Sequence, residues 1–171
     1  MIQPWHEEPI RRSHPRGAFD CGEPDLNTFL QRHARQSHDA GGAKTFLAID
    51  DASGAIHGFY SLAPASLEFS RAPAVLQRGL ARHDVPAFRL ARLAVSQRLH
   101  GQGLGGQLLL AAGRRCLRVA EEVGGVALII DAKSERAARW YAAYGAMPLE
   151  DEPLTLVISL AALAAALKTH S

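Results

Sequence analysis

The sequence predicts an α/β domain of the α+β kind, a single domain in which helices flank both faces of a mixed central sheet. Three observations favour this class: apolar runs of strand length alternate with amphipathic helices, glycines and prolines separate these segments, and 47% of the 171 residues are hydrophobic. That fraction can supply one sizeable core. Since no linker interrupts the pattern, we expect one domain over residues 19–171, after an irregular leader over residues 1–18.

The first half of the chain is predicted to form a helix and then a hairpin. Pro24 stands where a first helical turn would begin. Apolar or weakly polar residues then recur at three- and four-residue steps, which is typical of one helix face: Leu26, Phe29, Leu30, His33 and Ala34. Residues 45–50 and 55–63 are short apolar runs on either side of an Asp-Ala-Ser-Gly turn, which predicts a β-hairpin. Residues 71–83 show a weaker helical pattern.

The second half of the chain alternates between strands and helices. Residues 87–95 are an aliphatic strand that leads into a glycine-rich turn, and residues 104–123 are a strongly amphipathic helix. Gly124 and Gly125 end that helix. The remaining pattern predicts a buried strand over 126–131, a helix over 134–144 closed by Gly145, and a last strand over 154–160 that runs into a short buried helix.

Composition argues against several classes of protein. No apolar stretch reaches the roughly 18 residues that a membrane span needs, and the leader lacks the apolar run of a signal peptide, so we expect a cytoplasmic protein. Cys21 and Cys116 lack C-x-x-C spacing, which disfavours a disulfide framework or a thiolate site. None of the eight histidines lies in a ligand motif, so no metal site is predicted. A net charge of +2 does not by itself indicate a nucleic-acid partner.

The chemically specific segment is the glycine turn, residues 98–106. Gly101, Gly103, Gly105 and Gly106 lie where a strand must turn into a helix, so successive backbone N–H groups can point at one anion. The N-terminus of the helix adds further donors and a positive dipole end, which favours a diphosphate. An isolated Gly-x-Gly can also be only a tight turn. The segment lacks the Gly-Lys-Ser/Thr of the Walker pattern, and its G-x-G-x-G-G spacing differs from the dinucleotide fingerprint.

A family resemblance adds to this interpretation. Arg98-Leu-His-Gly-Gln-Gly103 resembles the R/Q-x-x-G-x-G/A signature of the GNAT acetyltransferases, in the same strand-to-helix setting. Ser134, Ala137 and Tyr141 have the spacing of that family's N-x-x-A-x-x-x-Y element, with Ser in place of Asn. The resemblance implies acetyl-CoA as the cofactor. It also implies a set of cofactor-binding residues: Leu93, Ala94, Val95, Arg98, His100, Gly101, Gln102, Gly103, Leu104, Gly105, Gly106, Ser134 and Ala137.

The resemblance also implies a mechanism. In GNAT folds the strand ending at Val95 splays from its neighbour, and the pantetheine arm pairs with backbone groups around Leu93 and Val95. The family places the phenol of Tyr141 beside the sulfur, which makes it the candidate general acid, because a pKa of about 10 keeps it protonated at neutral pH. Packing is the alternative role for Tyr141, and it is the role expected for Trp140 and Tyr144.

No catalytic base stands out among the carboxylates. This is acceptable if the acceptor is an α-amino group, whose pKa of about 8 leaves a useful neutral fraction at pH 7. The polar alternatives are Glu68, Asp131 and Glu135, each of which is better explained as a solvated or capping residue.

A narrower resemblance covers nearly the whole chain. Phe19-Asp-Cys-Gly22, Leu26-Asn27, Arg92-Leu-Ala-Val95 and Trp140-Tyr141 are together similar to the GNAT toxins of type II toxin–antitoxin pairs. That resemblance implies acetylation of aminoacyl-tRNA, a ribbon-helix-helix antitoxin as partner, and a homodimer. It also turns the basic residues, otherwise ordinary solvated faces, into candidates for tRNA binding: Arg32, Arg35, Lys44, Arg78, Arg82, Arg89 and Arg92, with Arg71 beside them.

Two other functions stay open from the sequence. One is a GNAT that acetylates a small amine or a protein N-terminus, with the same cofactor turn and a different acceptor cleft. The other is a domain that binds acyl-CoA or a partner without catalysis, as a sensor. Tyr141 and the intact glycine turn argue against the sensor.

Overall fold

The computed structural model describes residues 2–79 and 83–170. These residues form a seven-stranded mixed sheet in the order β1-β2-β3-β4-β5-β7-β6. The strands are β1 (Trp5–Pro9), β2 (Lys44–Asp50), β3 (Ile56–Leu67), β4 (Val85–Val95), β5 (Ala127–Asp131), β6 (Met147–Pro148) and β7 (Thr155–Ser159). β4 and β5 run parallel, whereas β1 with β2, β2 with β3, β5 with β7, and β6 with β7 run antiparallel. The mixed α/β class is therefore confirmed.

Helical segments separate most of these strands. The first is a continuous helix of three parts, α1 (Pro24–Thr28), a π-helical turn (Phe29–His33) and α2 (Ala34–Asp39). The others are a 3₁₀ turn (Phe69–Arg71), α3 (Ala74–Gln77), a second 3₁₀ turn (Gln97–Leu99), α4 (Leu104–Val123), α5 (Glu135–Ala142) and α6 (Leu160–His170). The long helix was predicted with the same bounds as α4. No helix in the described part of the chain is long and apolar enough to span a bilayer.

Two compact units share these elements. The first unit holds the described residues up to Ala63 together with Ala91–Leu109. Its core is built on aromatic contacts: the Phe59 ring meets Phe19 edge to face at 5.6 Å and stacks with Phe29 at 6.2 Å between centroids. Leu30 and Leu47 are fully buried in the same cluster.

The second unit holds Pro64–Leu90 together with the described residues from Leu110 onward. Its core is aliphatic, since aliphatic side chains from the sheet and from α3 are buried together: Leu67, Leu76, Val85, Ile129, Leu149 and Val157. A run of apolar residues such as Ala127–Ile130 of β5, all of them buried, is typical of a central sheet position. The strand predicted over residues 126–131 is thus confirmed as β5.

The leader predicted as irregular contains a strand. β1 pairs antiparallel with β2 from Trp5↔Asp50 to Pro9↔Phe46, and Ile10 next to it is buried. β1 lies at the sheet edge and reads Trp-His-Glu-Glu-Pro. Charged residues and proline are common on edge strands, so the hydrophobic pattern did not reveal it.

The first helix differs from its prediction at one point. The N–H of Ala34 bonds to the carbonyl of Phe29, which is the five-residue step of a π-turn. Because this turn holds one residue more than an α-turn, Ala34 is buried and His33 is exposed. The prediction that His33 lies on the apolar face was therefore wrong.

The weak helical pattern over residues 71–83 was mostly wrong. Among the described residues of this range, only the four of α3 are α-helical; Arg78 after them is extended, and Gly79 has φ of +74°. A left-handed residue cannot continue an α-helix, so the helix ends early. Arg82, a predicted tRNA-binding residue, lies outside the described residues.

Candidate functional site

The end of β4 extends beyond its parallel partner. Pairing with β5 runs from Ala87↔Ala127 to Leu90↔Ile130, whereas β4 itself continues to Val95. The last residues of β4 belong to the first unit. They lead directly into the predicted glycine turn.

The glycine turn has the backbone that anion binding requires. Gly101 and Gly103 have φ of +80° and +88°, a region that side chains strongly disfavour. A Cβ added at either glycine would meet no atom within 4 Å, so the space beside the turn is open. Glycine is needed here for its backbone conformation and leaves room for a ligand.

Helix α4 begins immediately after these glycines. Its first intrahelical hydrogen bond runs from the N–H of Gln107 to the carbonyl of Gly103 at 3.2 Å. The preceding N–H groups, those of Leu104, Gly105 and Gly106, have no helical carbonyl to bond, and they lie at the positive end of a 20-residue helix. Together with the open turn they fit a diphosphate.

Bonds from other segments hold this turn. The N–H of Ser96 bonds to the carbonyl of His57 at 2.8 Å, and the N–H of Gln97 bonds to the carbonyl of Asp20 at 2.9 Å. His100 Nε2 donates to the carbonyl of Val95 at 2.8 Å, since a carbonyl can only accept. The Val95 carbonyl, around which the pantetheine arm is expected to pair, thus accepts one bond and keeps a second lone pair.

Two polar side chains of the turn lie at the surface. Arg98 and Gln102 are exposed, and Gln102 Nε2 donates to the carbonyl of Arg98 at 3.4 Å. Gln107, one turn into α4, accepts a bond from the Trp5 indole at 3.2 Å. Edge strand β1 therefore contacts the start of α4 within the first unit.

Gly58 of β3 is a functional candidate that sequence reasoning missed. A Cβ at Gly58 would lie 2.7 Å from the carbonyl oxygen of Ala94 and 3.0 Å from Leu108 Cδ1. Only glycine permits this approach of β3 to β4 and α4. The available signal was a glycine inside a strand pattern, which often marks close backbone approach.

Tyr141 lies on α5 in the second unit, where its side chain is buried with 6% exposure. Its ring meets Trp140 edge to face at 4.9 Å, and Trp140 meets Tyr144 at 5.2 Å. Burial raises the pKa of the Tyr141 phenol, and the charge of Asp131 raises it further. The phenol therefore stays protonated at neutral pH and can donate a proton.

Ser134 is the N-cap of α5. Its Oγ accepts a hydrogen bond from the N–H of Ala137 at 3.1 Å. This explains why a Ser is suitable at this position, since Ser is a preferred N-cap. The hydroxyl proton is still available to a ligand, which an acceptor-only side chain would not offer.

Asp131, one of the alternative bases, is committed to an ion pair. Arg89 Nη1 donates to both carboxylate oxygens of Asp131, at 2.7 and 2.9 Å. Arg71 is likewise paired with Asp151 at 2.8 Å. Glu135 lies in the first turn of α5, where the positive end of the helix dipole stabilises a carboxylate. These contacts give structural roles to residues that the sequence left open.

The predicted basic residues are divided between the two units. In the first unit Arg32 is exposed, Arg35 pairs with Asp39 at 2.9 Å, and Lys44 donates to the carbonyl of His38 at 2.7 Å. Arg92 lies 3.7 Å above the centre of the Phe29 ring. The second unit contains Arg78, which is exposed, and the paired Arg89. A continuous basic rim stays a prediction.

Comparison with known proteins gives relatives along most of the chain. No protein-family model matches the chain. A curated protein, "tRNA-acetylating toxin" of Mycobacterium tuberculosis (strain ATCC 25618 / H37Rv), is 33% identical over 141 residues, which cover 82% of this chain and 83% of that protein.

Solved structures share the fold. A crystal structure of a point mutant of KacT superposes with a TM-score of 0.88 at 26% identity, covering 95% of this chain and 99% of that one. The crystal structure of AtaTR bound with AcCoA gives a TM-score of 0.82 at 26% identity, covering 94% and 96% of the two chains.

Proposed function

This chain belongs to the tRNA-acetylating toxins of the GNAT type, and we propose on that premise that it transfers the acetyl group of acetyl-CoA to the amino group of an aminoacyl-tRNA. Such a transfer blocks translation, because the acetylated amino group can no longer act as a nucleophile. The observation that carries the proposal is the match to the mycobacterial toxin along most of both chains. The cytoplasm, where charged tRNA is found, is the compartment this function requires.

The glycine turn is proposed to hold the cofactor's diphosphate. The N–H groups of Leu104, Gly105 and Gly106 supply donors at a helix N-terminus, and Gly101 and Gly103 keep the approach open. When bound, acetyl-CoA supplies an acetyl group activated as a thioester. The backbone of Leu93 and Ala94, at the end of β4, is the proposed partner of the pantetheine arm, and an exposed N–H there would polarise the thioester carbonyl.

Tyr141 is the proposed proton donor. In the transfer a bond forms between the amine nitrogen and the acetyl carbon, and the carbon–sulfur bond breaks. The sulfur then needs one proton and the nitrogen has one to release, so the phenol gives its proton to the sulfur and is reprotonated with the proton from the amine. The raised pKa of Tyr141 ensures that the phenol carries this proton at neutral pH.

The acceptor side is proposed to include exposed cations. Arg32 and Arg78 are exposed, whereas Arg35 and Arg89 already pair with carboxylates. A tRNA phosphate would be bound more readily by an exposed arginine than by one that already pairs with a carboxylate. Each such phosphate contact adds to a salt-dependent affinity. We expect Arg32→Ala to weaken tRNA binding about threefold and to reduce the salt slope by about one unit, measured by filter binding at several salt concentrations.

The partners implied by the family remain part of the proposal. A ribbon-helix-helix antitoxin would neutralise the toxin and form a repressor complex with it, and the toxin itself would be a homodimer. Co-expression with an adjacent small ribbon-helix-helix gene, followed by size-exclusion chromatography with light scattering, tests both. Free monomer with no complex would contradict both assignments.

A direct assay tests the activity. Purified protein is mixed with labelled acetyl-CoA and a pool of charged tRNA, and the label in precipitated tRNA is counted. We expect label in charged tRNA, and none when the tRNA is deacylated first. Label in free amino acids or polyamines alone would indicate a small-amine acetyltransferase, and cofactor binding without turnover on any amine would indicate a sensor.

A further inference from the structure

Residues 19–22 form a turn that contacts the entry to the glycine turn. The carbonyl of Asp20 accepts the N–H of Gln97 at 2.9 Å. Gly22 has φ of +90°, and a Cβ there would lie 2.6 Å from Gln97 Nε2. Since Gln97 opens the 3₁₀ turn that follows β4, the position of residues 19–22 determines where the chain leaves the strand.

The side chains of Asp20 and Asn27 fix the shape of this contact. Asp20 Oδ1 accepts the N–H of Gly22 at 2.9 Å and Asn27 Nδ2 at 3.0 Å. Asn27 Oδ1 accepts the N–H of Cys21 at 2.9 Å. The Asn27 amide thus uses both of its ends, and its orientation follows because a carboxylate only accepts and an N–H only donates. We call these two side chains the Asp20–Asn27 brace.

The brace is anchored in the core of the first unit. Phe19 is buried and meets Phe59 edge to face. Gln31 Nε2 donates to the carbonyl of Phe19 at 3.2 Å, and Asn27 is held in α1. The hydrogen bonds to Gly22 and then to Asn27 lower the pKa of the Asp20 carboxyl. The carboxylate is therefore ionised at neutral pH, and its bonds are charge-assisted.

We propose that Asp20 and Asn27 are positioning residues for coenzyme A: through the Asp20 carbonyl and the Gln97 N–H, they set the direction of the glycine turn's donors toward the diphosphate. The inference rests on the proposed function, because it concerns the same cofactor site. Neither side chain touches the cofactor in this proposal. Binding donors must be held to within about half an ångström by surrounding bonds, so loosening the brace weakens anion binding without removing any donor.

Calorimetric titration with coenzyme A tests the brace. Asp20→Ala is expected to raise the Kd for coenzyme A about tenfold, the scale of losing a charged hydrogen-bonded group. Asp20→Asn keeps an oxygen that accepts from both donors, so its Kd is expected within about threefold of wild type. Asp25→Ala is the matched control, because Asp25 is an exposed carboxylate on α1, the helix that holds Asn27, and the Kd of this variant is expected to be unchanged.

Steady-state kinetics separates positioning from mere stability. The KM for acetyl-CoA should rise with Asp20→Ala while kcat stays within about twofold, since Tyr141 is untouched. If Asp20→Ala fails to fold, Asn27→Ala keeps the bond from Gly22 to Asp20 and removes the two bonds of the Asn27 amide, and we expect the Kd for coenzyme A to rise in this variant too. If Asp20→Ala lowered the Tm but kept the wild-type affinity for coenzyme A, the inference would be overturned and the proposed function would stand. Failure of the wild-type protein to bind coenzyme A would overturn the proposed function and this inference with it.

Discussion

The glycine turn and helix α5 carry the two parts of the proposed chemistry, and they are held in different ways. The turn is positioned by backbone bonds, from Ser96 to His57 and from Gln97 to Asp20. Helix α5 has eight residues, and its position depends on side chains: the buried ring of Tyr141 and the capping hydroxyl of Ser134.

Because of this difference, substitutions in the two regions should affect different properties of the enzyme. Every residue type except proline supplies a backbone donor, so substitutions at the turn act through conformation and affect binding. On α5 one phenol carries the proposed proton transfer, so changes there remove a chemical group and affect the rate. Substitutions in the two regions should therefore divide into KM effects and kcat effects.

The largest expected effect is that of Tyr141→Phe. It removes the proposed proton donor while keeping the buried ring, so kcat should fall about 10²–10³-fold with the Kd for coenzyme A unchanged. Tyr144→Phe is the control and should keep the wild-type rate. Because the pKa of Tyr141 is raised, the wild-type rate should also show no loss from this group as pH rises to about 10. Full activity of Tyr141→Phe would contradict the expectation that substitutions on α5 lower kcat.

Gly103→Ala should affect binding rather than chemistry. A left-handed alanine is strained by about 1–2 kcal/mol, and its methyl group would enter the open space beside the turn. We expect the Kd for coenzyme A to rise about tenfold, which corresponds to about 1.4 kcal/mol, with kcat little changed at saturation.

A glycine elsewhere in the first unit provides the control for this variant. Gly54, in the β2–β3 hairpin, has φ of +75° and the same open surroundings. Gly54→Ala should therefore lose comparable stability in urea unfolding and keep its coenzyme A affinity. If both variants lost the same coenzyme A affinity, backbone strain alone would explain the loss, and the glycine turn would have no special role in binding.

Gly58→Ala tests the packing beneath the end of β4. The added Cβ would meet the Ala94 carbonyl and Leu108 Cδ1, and overpacking of this kind costs about 1–3 kcal/mol. We expect a lower Tm and a several-fold higher KM for acetyl-CoA. Gly17→Ala, at a site with no atom within 4 Å of an added Cβ, should leave both unchanged.

The smallest expected effect concerns Ser134. Ser134→Ala should lower the free energy of unfolding by about 1 kcal/mol, because the cap to Ala137 is lost. Ser134→Asp restores an acceptor for that cap but offers no proton to a ligand. If the hydroxyl binds pantetheine, Ser134→Asp recovers stability and not coenzyme A affinity. Recovery of both would restrict Ser134 to a capping role.

The elements predicted correctly are those with a regular apolar pattern or with glycines that mark their ends. Helix α4 was found with its full length because its apolar stripe is regular and Gly124 and Gly125 end it in left-handed conformations. The glycine turn was found because four glycines stand between an aliphatic strand and an amphipathic helix. In both cases the determining signal is local.

The missed features depend on contacts between distant segments. The bond from Gln97 to Asp20 joins residues far apart in the chain, and nothing near either residue predicts it. Gly58 looks like an ordinary strand glycine until Ala94 is placed beside it. Edge strand β1 lacks the apolar alternation of a half-buried strand, because Glu7 and Glu8 occupy its partly buried positions and Glu7 accepts a bond from the Tyr60 hydroxyl.

The π-turn at Phe29–His33 gives the first helix one spare residue. Deleting a single residue there would let the helix rewind as a continuous α-helix rather than break it, since an α-turn needs one residue fewer. Ala34 would then stand four residues after Phe29 and could bond to the same carbonyl, so α2 would keep its orientation about the helix axis. Arg35 would therefore keep its side of the helix, as would Asn27 before the turn, so this is the point at which the helix can lose one residue while both of its ends stay in position.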